Sequence, residues 1–172
     1  MDVVCYPDPI LQRRAAPVDL ARPDLAEIVE EMIKTMIEAA GVGLAGPQVA
    51  LDLRLFVASA TGEAGDVVVC INPQVELSGP LVEMEEGCLS LPGIRRIIKR
   101  PSEIRLRAFN VGGEEFEVTD DGLLGRILQH ENDHLNGVLF FERMTGADRI
   151  GIRPDLKALE EQHRPGETLR RP

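Results

Sequence analysis

The chain has 172 residues, 44% hydrophobic and 28% charged, with a formal net charge of −10, which fits one compact domain that folds in water and excludes a disordered polymer. The acidic balance, the lack of Trp and the single Tyr argue against generic nucleic-acid binding. No apolar run approaches the ~20 residues of a membrane span, and the start MDVVCYPDPI has neither the basic nor the apolar stretch of a signal peptide, so a cytoplasmic protein is expected.

From Asp24 the apolar residues Leu25, Ile28, Val29, Met32, Ile33, Met36 and Ile37 recur at three- and four-residue steps, and Gly41 follows as a stop, which predicts an amphipathic helix. The next segment, GVGLAGPQ over 41–48, reads by itself as a glycine loop ending that helix. Between about Leu53 and Val118 the runs LRLFVAS, DVVVCI, QVEL, LVEME, EIRLRAF and EEFEV, punctuated by Gly, Pro and Asn, predict short antiparallel strands. Helical spacing returns after Thr119 and Asp120. Leu123, Ile127, His130 and His134 form one stripe and Leu124, Leu128, Glu131 and Leu135 the next, before Asn136 and Gly137 end the helix. So wide an apolar face predicts a buried helix, and its ionisable residues then need partners. A last short helix is expected over Asp155–Gln162, followed by a polar, proline-broken tail over 163–172 that is too polar to join a core and is expected to be flexible. No repeat or linker divides the chain, so residues 1–172 are expected to form a single domain.

The buried helix carries HExxH as His130-Glu131-Asn132-Asp133-His134. On a helix this spacing turns both imidazoles toward one metal ion, with the glutamate beside its open position. The motif leaves the third ligand open. A metzincin would place a third histidine where this chain has Phe140. A thermolysin-like site would draw on a downstream glutamate such as Glu160 or Glu161, but it also needs a long cleft for which the chain leaves little room. Upstream, EEGCLSLPG sets Cys88 between a strand-like run and a Pro-Gly turn, where a thiolate could complete the set. A lone cysteine is more often a small buried hydrophobe, so Cys88 draws its weight from its neighbours. The three cysteines, Cys5, Cys70 and Cys88, are not expected to form disulfides in a reducing compartment.

GVGLAGPQ, EGCLS and QHENDHLNG, in this order and across nearly the whole chain, resemble the three signature motifs of peptide deformylases. One departure is Gly46, where the family pattern usually has a second alanine; the lost methyl is not expected to affect chemistry. The resemblance implies an α+β fold with small antiparallel sheets around a central metal-binding helix. It also implies a divalent ion on Cys88, His130 and His134, natively Fe2+, with Zn2+, Ni2+ or Co2+ able to take its place in preparations. Glu131 is then the catalytic carboxylate, with the Gln48 amide and the Leu89 backbone N–H as donors to the developing oxyanion. The activity implied is hydrolysis of the formyl group from formyl-methionine of nascent polypeptides; the rivals are a hydrolase of another small acyl amide and a metal-stabilised binding module. Val42 and Ile127 are candidate walls that exclude acetyl, and Gly43 and Gly87 candidate partners for the substrate backbone as an added strand. Glu86, Arg100 and Asp133 are charged neighbours that could orient the ligands or merely be solvated. The expected state is a monomer, with the arginines after Gln162 as a candidate transient contact with the ribosome.

Overall fold

The computed structural model describes residues 1–162 and, beyond them, the strand Thr168–Leu169. The chain runs β1 (Val3–Val4), α1 (Leu25–Glu38), β2 (Gly43–Ala45), β3 (Leu55–Ala58), β4 (Val68–Cys88), β5 (Leu91–Phe109), β6 (Glu115–Asp120), α2 (Leu123–Leu135), α3 (Gly146–Gln162) and β7 (Thr168–Leu169). Five strands form one antiparallel sheet in the order β2-β3-β4-β5-β6, and β1 pairs with β7 in a second, two-stranded sheet. The fold is α+β, as the resemblance implies.

Burial explains the layering. Every residue of β3 is buried, because the strand is covered on both faces. Phe56 and Ala58 join a core with Ile127, Leu128 and Leu135 of α2, while Leu55 and Val57 join another with Leu25, Val29, Met32 and Met36 of α1. Helix α2 thus lies against one face of the sheet and α1 against the other. A third cluster unites Leu91, Ile94 and Ile98 of β5 with Leu139, Phe140 and, from α3, Ile152 and Leu159.

Three expectations need correction. DVVVCI, QVEL and LVEME do not form separate strands but one continuous strand, β4, whose pairing with β5 absorbs the Gly and Pro signals as register breaks at Ile71/Gln74 and Ser78/Leu81. Glycine 43 opens a strand rather than a loop, because its segment pairs with β3 through Gly43–Ala58 and Ala45–Phe56. Helix α3 begins at Gly146, well before Asp155, and runs through Pro154, with Ile152 and Leu159 buried on either side of the proline. His163, Arg164, Arg170 and Arg171 of the predicted tail lie outside the described residues, while Thr168 and Leu169 within it pair with Val4 and Val3.

Candidate functional site

The end of β4 and the C-terminal half of α2 meet. A register break between Gly87 and Cys88 bends the end of β4, and such bulges re-aim a side chain. Here the thiol of Cys88 comes to 3.2 Å from His134 Nε2. The potential ligand atoms of Cys88, His130 and His134 all lie within 4.8 Å of one another, the one such cluster among the described residues. Cys5 and Cys70 are buried free thiols outside the cluster, although Cys5 Sγ lies 4.0 Å from the Leu89 carbonyl oxygen; burial raises the pKa of both, and the nearby Cys88 adds to it for Cys5, which reaches about 12.

A divalent ion fits this donor set. One thiol and two imidazoles are the ligands that zinc- and iron-type ions take. His130 Nδ1 is engaged with Glu86 Oε2 at 2.9 Å, which leaves Nε2 as the nitrogen that could hold an ion. Beside the cluster, the Glu131 carboxylate is buried with Oε2 lacking a hydrogen-bond partner, an arrangement that calls for a ligand or a proton. Burial pushes the Glu131 carboxyl up to about 7, against the pull of the His130 cation. Burial disfavours charge on His130, yet its hydrogen bonds with Cys88 and Glu86 prevail and hold it at about 10 without metal. Burial and the neighbouring His130 push His134 the other way, well below its ordinary value. Phe140, at the position a metzincin gives to its third histidine, packs its ring 6.2 Å from that of His130.

The charged neighbours are buried, not solvated. Arg100 forks onto Glu86, Nε to Oε1 at 2.7 Å and Nη2 to Oε2 at 2.9 Å, and its Nη1 donates to Asp133 Oδ2 at 2.7 Å. Burial opposes ionisation of Glu86, but His130 and Arg100 overcome it and bring its pKa down to about 2. Arg143 closes the far end with two donations to Asp133. Neither Arg126 nor Arg143 stands out in the sequence; the available signal for Arg126 is its place four residues before His130, one helical turn away.

Gln48 is only 1% exposed. Its Oε1 accepts from the Ala45 N–H at 2.8 Å, which fixes the amide so that Nε2 turns toward Ser90 Oγ at 3.3 Å and Cys88 Sγ at 3.5 Å. A cleft of about 710 Å³ joins these parts. Val42, Gly43, Gln48, Gly87, Cys88, Leu89, Ile127, His130 and Glu131, all predicted site residues, line it, and His134 lies behind them against Cys88. Gly43 is there of necessity, since a Cβ on it would stand 2.7 Å from Cδ and 2.8 Å from Cγ of Glu131. A second cleft of about 640 Å³, between the β4–β5 hairpin and α3, contains none of the cluster.

Comparison with known proteins agrees with this geometry. Residues 1–149 match the family model described as Polypeptide deformylase. The chain is 40% identical over 166 residues to Peptide deformylase 1B, chloroplastic/mitochondrial, of Arabidopsis thaliana, an alignment covering 95% of this chain and 61% of that protein. It is 39% identical over 165 residues to the peptide deformylase of Hahella chejuensis, covering 95% and 96%. The chain therefore spans about three fifths of its plant relatives and nearly all of its bacterial ones. Among crystal structures, Arabidopsis peptide deformylase 1B in complex with an inhibitor superposes with a TM-score of 0.89 at 41% identity, covering 94% of this chain and 91% of that one. The Thermus thermophilus peptide deformylase gives 0.85 at 39% identity, covering 95% and 99%. The chain belongs to the polypeptide deformylase family.

Proposed function

We propose that this chain hydrolyses the formyl group from the N-terminal formyl-methionine of nascent polypeptides and releases formate. The observation that carries this reading is the meeting of Cys88, His130 and His134 within 4.8 Å of one another, with the buried Glu131 beside them in the same cleft. Cys88, His130 and His134 would hold one divalent ion, Fe2+ natively, with Zn2+, Ni2+ or Co2+ as substitutes. When bound, such an ion supplies Lewis acidity and makes water acidic enough to react near neutral pH.

The chain's own groups do the rest. The Glu131 carboxylate takes a proton from the attacking water and returns it to the departing amine. The Gln48 Nε2 donor, pre-aimed by the Ala45 N–H on Oε1, and the Leu89 N–H receive the charge that grows on the formyl oxygen. Fixed donors are effective here because they need no reorganisation as the charge appears. Gly43 belongs to β2, the edge strand of the sheet, so a substrate backbone can add beside it, with Gly87 across the cleft. Main-chain pairing binds any sequence, as an enzyme acting on many new chains requires. Val42 and Ile127, which line the cleft, would exclude the methyl of an acetyl group. No described helix is long and apolar enough to cross a membrane. The proposed setting is the cytoplasm, with a single catalytic domain acting as a monomer in transient contact with the ribosome.

The deciding experiment measures formate release from a formyl-Met tripeptide, with the acetyl-Met tripeptide as control. Rapid release from the first alone supports the reading. Turnover of the acetyl peptide at a similar rate would make the chain a broader acyl-amide hydrolase, and no turnover by the metal-loaded protein would make it a binding module.

A further inference from the structure

Arg126 belongs to none of the three motifs' assigned chemistry, yet it is 6% exposed on α2, one turn before His130. Burying a guanidinium is costly unless its donors are well used. Nη1 donates to Glu86 Oε1 at 3.2 Å and to the Ile98 carbonyl at 3.2 Å, and Nη2 donates to the Val82 carbonyl at 2.7 Å. Val82 and Ile98 belong to the two strands of the β4–β5 hairpin, and Glu86 is the carboxylate that receives His130 Nδ1.

The ownership of these groups gives the argument its direction. Glu86 and Arg100 both sit on the hairpin, so their bidentate pair fixes the carboxylate relative to the hairpin and not to the helix. The ties from this ion pair to α2 come from Arg126 on Glu86 Oε1, His130 on Glu86 Oε2 and Asp133 on Arg100 Nη1. Arg126 and Asp133 bracket His130 from the two sides along the helix. Gln129 also ties α2 to the hairpin, donating to the Pro101 carbonyl at 3.0 Å, but it does not reach Glu86. Without Arg126, Glu86 Oε1 loses its donor from α2, and Oε2 is no longer fixed opposite Nδ1 from the N-terminal side of His130.

We propose that Arg126 is a positioning residue for the metal centre: by gripping Glu86 Oε1 and the Val82 and Ile98 carbonyls it locks the hairpin onto α2, so that Glu86 Oε2 accepts from His130 Nδ1 and His130 presents Nε2 to the ion. This inference rests on reading the cluster as the metal site of a deformylase. Removal of groups that orient metal ligands typically lowers metal affinity ~10–100-fold.

The test uses the full-length zinc-loaded protein with Arg126→Met, which keeps the apolar stem, and Arg126→Lys, which keeps the charge but gathers its donors on one nitrogen and cannot span the acceptors of the fork. Zinc affinity is measured by competition with a chromophoric chelator, and the His130 Nδ1–H signal is followed by NMR. Arg126→Met is expected to lose about 10–100-fold in zinc affinity, with the Nδ1 proton exchanging faster with solvent; Arg126→Lys loses less. The same substitution in a Glu86→Gln background should cost less than about twofold, because the route through Glu86 is already cut. Unchanged zinc affinity and proton exchange in Arg126→Met would overturn the proposal, as would an equal loss in the Glu86→Gln background. If Arg126→Met does not fold, wild-type zinc affinity in Arg126→Lys overturns it alone. None of these readouts needs substrate, so a wild-type protein that releases no formate would refute the function and leave this result standing.

Discussion

Replacing Gly43 by alanine separates a catalytic carboxylate held by its surroundings from one merely located in a cleft. The new Cβ would stand 2.7 Å from Cδ and 2.8 Å from Cγ of Glu131 and would overlap Oε1. Carbon atoms settle at about 3.5–4.0 Å, so one partner must retreat by on the order of 1 Å. Strand β2 is bound to β3 through Gly43–Ala58, Leu44–Val57 and Ala45–Phe56, and Leu44 and Ala45 are fully buried, so the strand resists moving. Glu131 is the side that yields. A misplacement of ~1 Å at a reacting group can cost ~100-fold in rate, and overpacking costs about 1–3 kcal/mol of stability. Gly43→Ala is therefore expected to lower kcat on a formyl-Met tripeptide by about 100-fold, lower the melting temperature by several degrees and leave the metal content unchanged, since Glu131 is not among the ligand cluster. In a Glu131→Gln background the same change should cost far less rate. If Gly43→Ala instead keeps the wild-type kcat and only raises KM, the glycine serves the substrate backbone alone and the reasoning about Glu131 is wrong.

Glu131→Gln, close in shape, should retain metal by elemental analysis while deformylation falls ~10²–10⁴-fold, the span typical of a lost general base; wild-type turnover would remove Glu131 from its role. Cys88→Ser should bind zinc or iron far more weakly in chelator competition, since an alcohol does not ionise as a thiol does, and a variant with full metal content and rate would place the third ligand elsewhere. Gly46→Ala, nominally a step toward the family pattern, should destabilise this chain by about 1–3 kcal/mol in denaturant titration, because its Cβ would stand 2.5 Å from the Leu53 carbonyl oxygen and 3.2 Å from that of Leu51; equal or greater stability would show that the 51–53 backbone gives way freely. Truncation after Gln162 should leave hydrolysis of formyl-Met peptides unchanged and weaken co-sedimentation with ribosomes at low salt, and equal sedimentation across a salt series would dismiss the basic tail.

What was legible in the sequence followed the range of the interactions involved. Helix α2 and its two histidines could be read because their signal is local: a 3.6-residue period over thirteen positions and a four-residue spacing within it. The third ligand was not local, and the residues alone left Cys88 competing with Glu160 and Glu161 until the three motifs were taken together. The two long strands show in the sequence only as fragments, and IRRIIKR gives no plain strand signal. Its alternation is real, with Ile94, Ile98 and Arg100 buried between exposed positions, but an arginine among the buried set hides the pattern.

That arginine shows why the charged half of the site is harder to read than the apolar half: Glu86, Arg100 and Asp133 stand out as charges near the candidate ligands, but not as buried partners of one another. Arg100 follows a basic run and looks like a solvated edge; only the fold brings Glu86 and Asp133, distant by 14 and 33 positions, to its guanidinium. Arg126 is harder still, since its carboxylate partner is 40 positions upstream. A buried apolar residue announces itself by periodicity because any apolar neighbour will satisfy it. A buried charge needs particular partners, and their identity is a property of the packed structure. The workable rule is therefore conditional: once a helix is read as buried around HExxH, each charged residue on its inner stripe must be assigned a partner. Applied to α2, that rule flags Arg126, four residues before His130, and Asp133, three residues after it; in the fold both find partners on the hairpin that supplies Cys88, and Asp133 a further one in Arg143. The hairpin that carries Cys88 also carries Glu86 and Arg100.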